Sequence, residues 1–222
     1  MVHSDVWKDL TVELSAKRVQ LVAVSKTKPV ADIEALYELG QRDFAENYVQ
    51  ELLDKQQVLP NDIKWHFTGH LQSNKVKQIA PFVHLVHAVD SFKLLQEIDK
   101  QGRNNNRTID VLLQLHIADE ATKFGMDEKE IIETLDRVAA NEAMQNVRIC
   151  GLMGMATNSD NEHKVRSEFA RLYSVFKNLS QSYFIKKEYF SIISMGMSGD
   201  YKLAVEEGST MVRIGSLLFG ER

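Results

Sequence analysis

The pattern that decides the fold lies in residues 147–193, VRICGLMGMATNSDNEHKVRSEFARLYSVFKNLSQSYFIKKEYFSII. This stretch opens with an apolar run, Val147–Met155, and closes with a second one, Tyr189–Ile193. Between them, apolar side chains recur at spacings of four and three residues: Val165, Phe169, Leu172, Phe176 and Leu179. That spacing is typical of an amphipathic helix. Strand, helix and strand in this order predict two parallel strands joined by a crossover helix.

The same alternation extends in both directions along the chain. We predict eight strands, at Leu21–Val24, Asp43–Ala45, Ile63–Phe67, Phe82–Val89, Ile109–Ile117, Val147–Met155, Tyr189–Ile193 and Met211–Ile214. A segment of helical spacing follows each strand except the last, after which we expect a very short helix or none. Runs that are apolar on both faces fit a parallel sheet covered by helices.

These features predict an α/β protein with a single (β/α)₈ TIM barrel over residues 1–222. The sequence shows no Pro-, Gly- or Ser-rich linker and no internal repeat, so we favour a closed barrel over an open doubly wound sheet. A barrel of 222 residues leaves little room for added domains.

Composition narrows the classes of function. The net charge is −4 without a dense basic patch, which argues against a nucleic-acid partner. The single cysteine, Cys150, lies in an apolar run and is expected to be a buried small hydrophobe. Neither a signal peptide nor an apolar run of membrane-spanning length is present. We therefore expect a cytoplasmic monomer without membrane contact.

A lysine stands where a barrel of this type places its functional site, at the C-terminal end of a strand. Lys26 follows the first predicted strand directly, and Lys28 lies two residues further on. In an extended segment these two side chains share a face. Neighbouring ammonium groups and desolvation both disfavour the charged amine. Because Schiff-base chemistry needs a neutral lysine, Lys26 is our candidate for a covalent bond to a carbonyl group.

Two loops at the same end of the barrel predict a phosphate site. Residues 194–200 supply two glycines and two serines before a predicted helix, where backbone N–H groups and the helix dipole attract anions. Gly215 and Ser216 follow the eighth strand and add N–H donors. Loops after strands seven and eight are the usual phosphate position in barrels. Arg213 lies between the two loops and would face a ring or a phosphate.

Other motifs give no match. The sequence lacks a nucleophile elbow, a Walker loop and a dinucleotide fingerprint. The histidines do not form a metal-ligand spacing with the single cysteine, so we predict no metal site. Five of the seven histidines come into question: His66, His70, His84, His87 and His116.

In the segments that contain these residues, the sequence resembles the pyridoxal phosphate homeostasis proteins, which are single-domain relatives of the alanine racemase barrel. The matching segments cover nearly the whole chain in order. They are Ala23–Pro29 (AVSKTKP), Phe44–Glu51 (FAENYVQE), Trp65–Lys75 (WHFTGHLQSNK), His87–Ser91 (HAVDS), Gly151–Met153 (GLM) and Ile193–Arg222, which contains SMGMSGDYKLAVEEGSTMVRIGSLLFGER.

The resemblance implies a (β/α)₈ barrel with pyridoxal 5′-phosphate (PLP) held as a Schiff base on Lys26. It places the phosphate among five residues: Ser194, Met197, Ser198, Arg213 and Gly215. It also implies that Asn47 lies beside the cofactor ring and that Arg213 faces the pyridine nitrogen. Lys28, Met153 and Ser216 complete our set of cofactor-binding candidates.

The function expected from this resemblance is intracellular PLP homeostasis, in which the protein holds PLP and releases it to PLP-dependent apoenzymes. An arginine at the pyridine nitrogen makes the ring a weaker electron sink. Racemisation also needs proton transfer on both faces of the substrate carbon. We expect no second domain to supply the opposing base, because the chain ends at Glu221 and Arg222, and hence no substantial racemase activity.

Two enzymatic alternatives remain open at this point. One is a weak PLP-dependent racemase with Lys26 as the base on one face. The other is a cofactor-free Schiff-base aldolase that acts on a phosphorylated sugar. A visible absorption band bleached by borohydride would separate PLP binding from the aldolase, and amino-acid turnover would separate a carrier from a racemase.

Overall fold

The predicted strands form in the structure and pair in chain order. In the computed structural model, which describes residues 2–119 and 124–220, all neighbouring strands are parallel and β1 pairs with β8 to close the barrel. The strands are β1 (Gln20–Val24), β2 (Asp43–Glu46), β3 (Lys64–Phe67), β4 (Leu85–Val89), β5 (Ile109–Gln114), β6 (Val147–Met153), β7 (Ile192–Ser194) and β8 (Met211–Ile214). The predicted (β/α)₈ fold is confirmed.

Helices surround this barrel. They are α1 (Ser4–Ala16), α2 (Val30–Glu38), α3 (Val49–Gln56), α4 (Val76–Ile79), α5 (Phe92–Asn104), α6 (Glu128–Ala139), α7 (Glu162–Ser182), α8 (Tyr201–Glu206) and α9 (Ser216–Phe219). The apolar stripe of α7 is buried as its spacing predicts. The hydroxyl of Ser91 accepts a hydrogen bond from the Leu94 N–H and caps α5.

Helix α1 and the bounds of several strands differ from the sequence prediction. Strand β4 begins later than predicted, and β5 and β6 end earlier. Helix α1 is absent from the prediction because its weak apolar stripe buries only Leu10 and Leu14 fully, and no side chain caps its start. Strand β7 begins later than expected. Phe190 leaves the predicted strand to stack on Phe184, with the ring centroids 3.9 Å apart.

The short α9 ties the two ends of the described chain together. The His3 N–H donates to the carbonyl of Leu218 at 2.8 Å. Glu221 and Arg222, which end the matched C-terminal segment, lie outside the described residues.

Apolar side chains pack in two places. A large core fills the space between the barrel and the helices, and a smaller one fills the barrel itself. Cys150 and Met153 belong to the inner core and are buried, as predicted for the cysteine. Within residues 2–119 and 124–220, no helix is long and apolar enough to cross a membrane.

Candidate functional site

A cavity of about 320 Å³ opens at the C-terminal ends of the strands, a volume within the range of small-molecule sites. Eight of the ten predicted binding residues line it: Lys26, Lys28, Asn47, Met197, Ser198, Arg213, Gly215 and Ser216. Met153 and Ser194 do not line the cavity and are buried in the barrel interior. Five residues outside the ten binding candidates also line it: Val24, Thr68, Met155, Gly199 and Gly220. Thr68 and Met155 stand at predicted strand ends, where the sequence places the site.

The segment that carries the two lysines is a turn, not the extended segment from which their shared face was argued. The Lys28 N–H donates to the Ser25 carbonyl at 3.0 Å, and Thr27 has a φ of 64°. Both lysines still reach the same cavity. The ammonium group of Lys28 donates to the carbonyls of Phe219 and Gly220, each at 3.1 Å, so it joins the first turn of the barrel to the end of α9.

A buried charged cluster holds this turn from below. Lys55 on α3 donates to the Ser25 carbonyl at 2.8 Å and to carboxylate oxygens of Glu46 and Glu51 at 2.7 Å each. The Thr27 N–H donates to the same Glu51 oxygen at 2.6 Å. Lys55 therefore holds the Ser25 carbonyl directly and the Thr27 N–H through Glu51, which fixes the backbone on either side of Lys26.

Glu46 is the unusual member of this cluster. Its side chain is fully buried, and its Oε1 accepts from the Ser25 hydroxyl and from Lys55 at 2.7 Å each. Its Oε2 is buried without a hydrogen-bond partner among the described residues. Burial raises the pKa of Glu46 to about 7, against the opposing effects of Lys55 and Ser25. Sequence reasoning missed the cluster, although Glu46 and Glu51 both stand in the matched segment FAENYVQE.

On the opposite side of the cavity, the loops after β7 and β8 meet. The N–H groups of Gly215 and Leu217 point to one oxygen, the Ser198 hydroxyl, at 3.2 and 3.5 Å. Two convergent N–H groups are the arrangement that binds an anionic oxygen. Gly196 has a φ of +94°, and a Cβ there would lie 2.6 Å from the Ala204 Cβ. Its role is therefore to let the loop pack against α8.

Arg213 forms part of the cavity wall although it is almost completely buried. Its Nη1 donates to the carbonyl and the hydroxyl of Ser194 at 2.8 and 2.7 Å, and its Nη2 donates to the Gly154 carbonyl at 3.2 Å. Burial lowers the pKa of Arg213 to about 10, and the charge of Asp200 opposes this effect. The guanidinium group is thus held in one orientation by neutral acceptors.

Asn47 is fixed by two residues that follow β3, Thr68 and Gly69. Its Oδ1 accepts from the Thr68 hydroxyl at 3.0 Å. A Cβ on Gly69 would lie 2.1 Å from the Asn47 carbonyl oxygen, so only glycine permits this approach of the two loops.

The comparisons with known proteins identify the family of this chain. Residues 7–222 match the family described as alanine racemase, N-terminal domain. A protein of Aquifex aeolicus named pyridoxal phosphate homeostasis protein is 38% identical over 204 residues, which cover 91% of this chain and 87% of the relative.

Solved structures of related proteins have the same fold. PipY of Synechococcus elongatus without PLP has a TM-score of 0.89 at 35% identity, covering 97% of this chain and 99% of PipY. PipY with PLP bound has a TM-score of 0.83 at 34% identity, with 96% and 99% covered. An alanine racemase of Clostridium difficile shares the fold, with a TM-score of 0.77 at 13% identity over 98% of this chain and 57% of the racemase. This chain therefore belongs to the pyridoxal phosphate homeostasis proteins, within the alanine racemase N-terminal domain family.

Proposed function

We propose that this chain binds PLP in the cavity at the C-terminal end of its barrel and serves PLP homeostasis by holding the cofactor and releasing it to other enzymes. The observation that carries the proposal is the convergence of a lysine amine, an oriented arginine and two N–H-rich loops on one cavity. The relative whose structure contains PLP is similar to this chain over nearly its whole length.

The donor set fits the chemical groups of PLP. Bound PLP supplies an aldehyde that condenses with a primary amine, a pyridine ring and a phosphate. We assign the Schiff base to Lys26. Ser198, Ser216 and the N–H groups that converge after β8 suit the phosphate. Arg213 would donate to the pyridine nitrogen, with Asn47 beside the ring.

Four candidates remain. Met197 lines the cavity, and the other three take supporting roles in this proposal. Lys28 shapes the cavity wall while its ammonium group is engaged by the end of α9. Ser194 holds Arg213 from within the barrel. Met153 packs in the inner core beneath the site.

The cavity suits a carrier better than a racemase. Among the described residues that line it, the ionisable side chains are Lys26, Lys28 and Arg213. Arginine does not give up its proton readily, and Lys28 is held by two carbonyls. Lys26 is therefore the base available to a bound amino acid, and racemisation requires a second base on the other face. The similar relatives are named for homeostasis and not for catalysis.

The test of the proposal is to add PLP to the purified protein and record its visible absorption. We expect a band that borohydride bleaches, and an adduct that mass spectrometry of the digested protein maps to Lys26. Lys26→Ala should lose the adduct, whereas Lys28→Ala should keep it on Lys26. An adduct on another residue would overturn the assignment, and a protein that forms no band would favour the cofactor-free aldolase.

Release to other enzymes has its own test. The PLP-loaded protein is mixed with a PLP-dependent apoenzyme, and recovery of that enzyme's activity is followed. Recovery faster than with an equal concentration of free PLP supports direct transfer. Size-exclusion chromatography with light scattering would test the expected monomer, and limited proteolysis the expected single domain over residues 1–222.

A further inference from the structure

A chain of polar side chains runs through the interior of the barrel, from Arg213 at the cavity to Asp43 at the start of β2. The Arg213 Nη1 lies 2.7 Å from the Ser194 hydroxyl, which lies 3.0 Å from the His87 Nδ1. The His87 Nε2 lies 2.9 Å from the His66 Nδ1, and the His66 Nε2 lies 3.0 Å from the Asp43 Oδ1. Ser194, His66 and His87 have no exposed surface. Five residues are thus linked by four hydrogen bonds across the barrel.

The two ends of the chain fix the direction of every bond in it. A guanidinium group only donates, so the Ser194 oxygen accepts from Arg213 and its hydroxyl proton goes to the His87 Nδ1. The other ring nitrogen of a neutral histidine then carries the proton. His87 therefore donates from Nε2 to the His66 Nδ1.

His66 continues the same pattern. Its Nδ1 accepts, so its Nε2 carries a proton and donates to Asp43, which as a carboxylate only accepts. Burial opposes ionisation of Asp43, but the hydrogen bond from His66 holds the pKa of this carboxyl below its usual range. Burial also holds the pKa of His87 far below its usual value, so this ring stays neutral.

We infer that His87 and His66 are positioning residues for Arg213, because through Ser194 they fix which way its guanidinium group donates at the cofactor ring. This inference rests on the proposed PLP site and adds a support that lies outside the cavity. Without an acceptor at position 87, the Ser194 hydroxyl would be free to turn. Nη1 would then keep the Ser194 carbonyl as an acceptor but lose the fixed position of its second acceptor, the Ser194 hydroxyl.

A metal site is a second interpretation of some of these residues, but it does not agree with the hydrogen bonds. Ligand atoms of Asp43, His66 and His84 lie within 4.8 Å of one another, which is close enough to suggest a metal site. The chain, however, requires a proton on the His66 nitrogen that faces Asp43. A metal there would have to displace that proton and reverse the direction of the hydrogen bonds between Arg213 and His66, so we assign no metal to these residues.

The first part of the test needs neither a variant nor the cofactor. Long-range ¹H–¹⁵N NMR spectra of the wild-type protein report which histidine nitrogen carries the proton. We expect both His66 and His87 to be neutral with the proton on Nε2. A proton on Nδ1 of either ring, or a charged ring, would overturn the inference.

The second part measures PLP affinity and the absorption spectrum of the bound cofactor. His87→Leu should weaken binding about 10-fold, the effect of losing roughly one hydrogen bond to a charged group, and should shift the absorption band. His87→Gln offers an acceptor to Ser194 and a donor to His66, so it should restore both readouts. The control is His84→Phe. The His84 ring contacts His66 but is not one of the five hydrogen-bonded residues, so this variant should have the PLP affinity and absorption band of the wild type.

The outcomes separate this inference from the proposed function. If wild-type protein does not bind PLP, both fail. If it binds PLP and His87→Leu keeps the wild-type affinity and spectrum, only the positioning role fails. If His87→Leu does not fold, the wild-type tautomers and His87→Gln still decide the matter. A His87→Gln variant that folds but does not retain the wild-type band would contradict the inference.

Discussion

Replacing Glu46 by glutamine should remove a pH dependence of stability that the buried cluster creates. The carboxyl has an ordinary pKa of 4.5 and a pKa of about 7 in the folded chain. Between these values the folded protein holds a proton that the unfolded chain has lost, so the free energy of unfolding falls as the pH rises. The rise from 4.5 to about 7, at about 1.4 kcal/mol per pKa unit, corresponds to at most roughly 3–4 kcal/mol. This contribution is fully present below pH 4.5 and is lost above about pH 7.

The assay is urea unfolding of wild type and Glu46→Gln, followed by tryptophan fluorescence in steps from about pH 5 to about pH 8. We compare the two free energies of unfolding at each pH, because titration of Asp43, His84 and His87 is common to both proteins and cancels. The difference, wild type minus variant, should decline as the pH rises and level off above about 7. Glu34→Gln, on the exposed face of α2, controls for the loss of one negative charge. A difference that is flat across this range, or that grows with pH, would refute the reasoning.

Three further predictions concern the cavity. Ser216→Ala should weaken PLP binding about 10- to 100-fold and leave the affinity for unphosphorylated pyridoxal unchanged in a fluorescence titration; equal losses for both ligands would contradict a phosphate contact. Gly69→Ala should lower the free energy of unfolding by about 1–3 kcal/mol, because its Cβ would lie 2.1 Å from the Asn47 carbonyl oxygen. The control Gly199→Ala, with nothing within 4 Å, should not lower it, and equal unfolding curves for the two variants would show the contact to be harmless. PLP-loaded protein incubated with L-alanine in deuterated water should at most exchange the α-hydrogen slowly through Lys26, without inversion; racemisation at about 1–10³ per second would establish an enzyme.

The fold was predictable because a parallel barrel repeats one local pattern. The spacing of Val165, Phe169 and Leu172 specifies a helix wherever it occurs, and strands apolar on both faces need helices to cover them. The beginning of β7 was not predictable in this way. Phe190 stands in an apolar run, as a strand residue would. Its ring, however, is buried against Phe176 and Phe184, and local spacing does not predict this packing.

Most residues that line the cavity were predictable because the C-terminal ends of the parallel strands meet at one end of the barrel. Eight of the ten candidates line it. The hydrogen-bonded side chains that hold these lining residues were not predictable, because they join residues that are far apart in the sequence. Lys55 reaches back 30 residues to the Ser25 carbonyl, and Ser194 meets His87 across 107 residues. A lysine on an amphipathic helix and a histidine in an apolar strand carry no sign of such partners.

Part of the cavity wall comes from the segments that follow the first and the last strands, and this order has a consequence for synthesis of the protein. Lys28 bonds to the carbonyls of Phe219 and Gly220, which lie 191 and 192 residues further along the chain. Strand β1 pairs on one side with β8, which is made almost as late. At about 5–20 residues per second, a ribosome needs on the order of 10–40 seconds to supply these partners. During that time Lys26 stands on an incomplete sheet, and a chain interrupted before β8 cannot form the site. Acquisition of the ligand would therefore report that translation has passed β8 and α9.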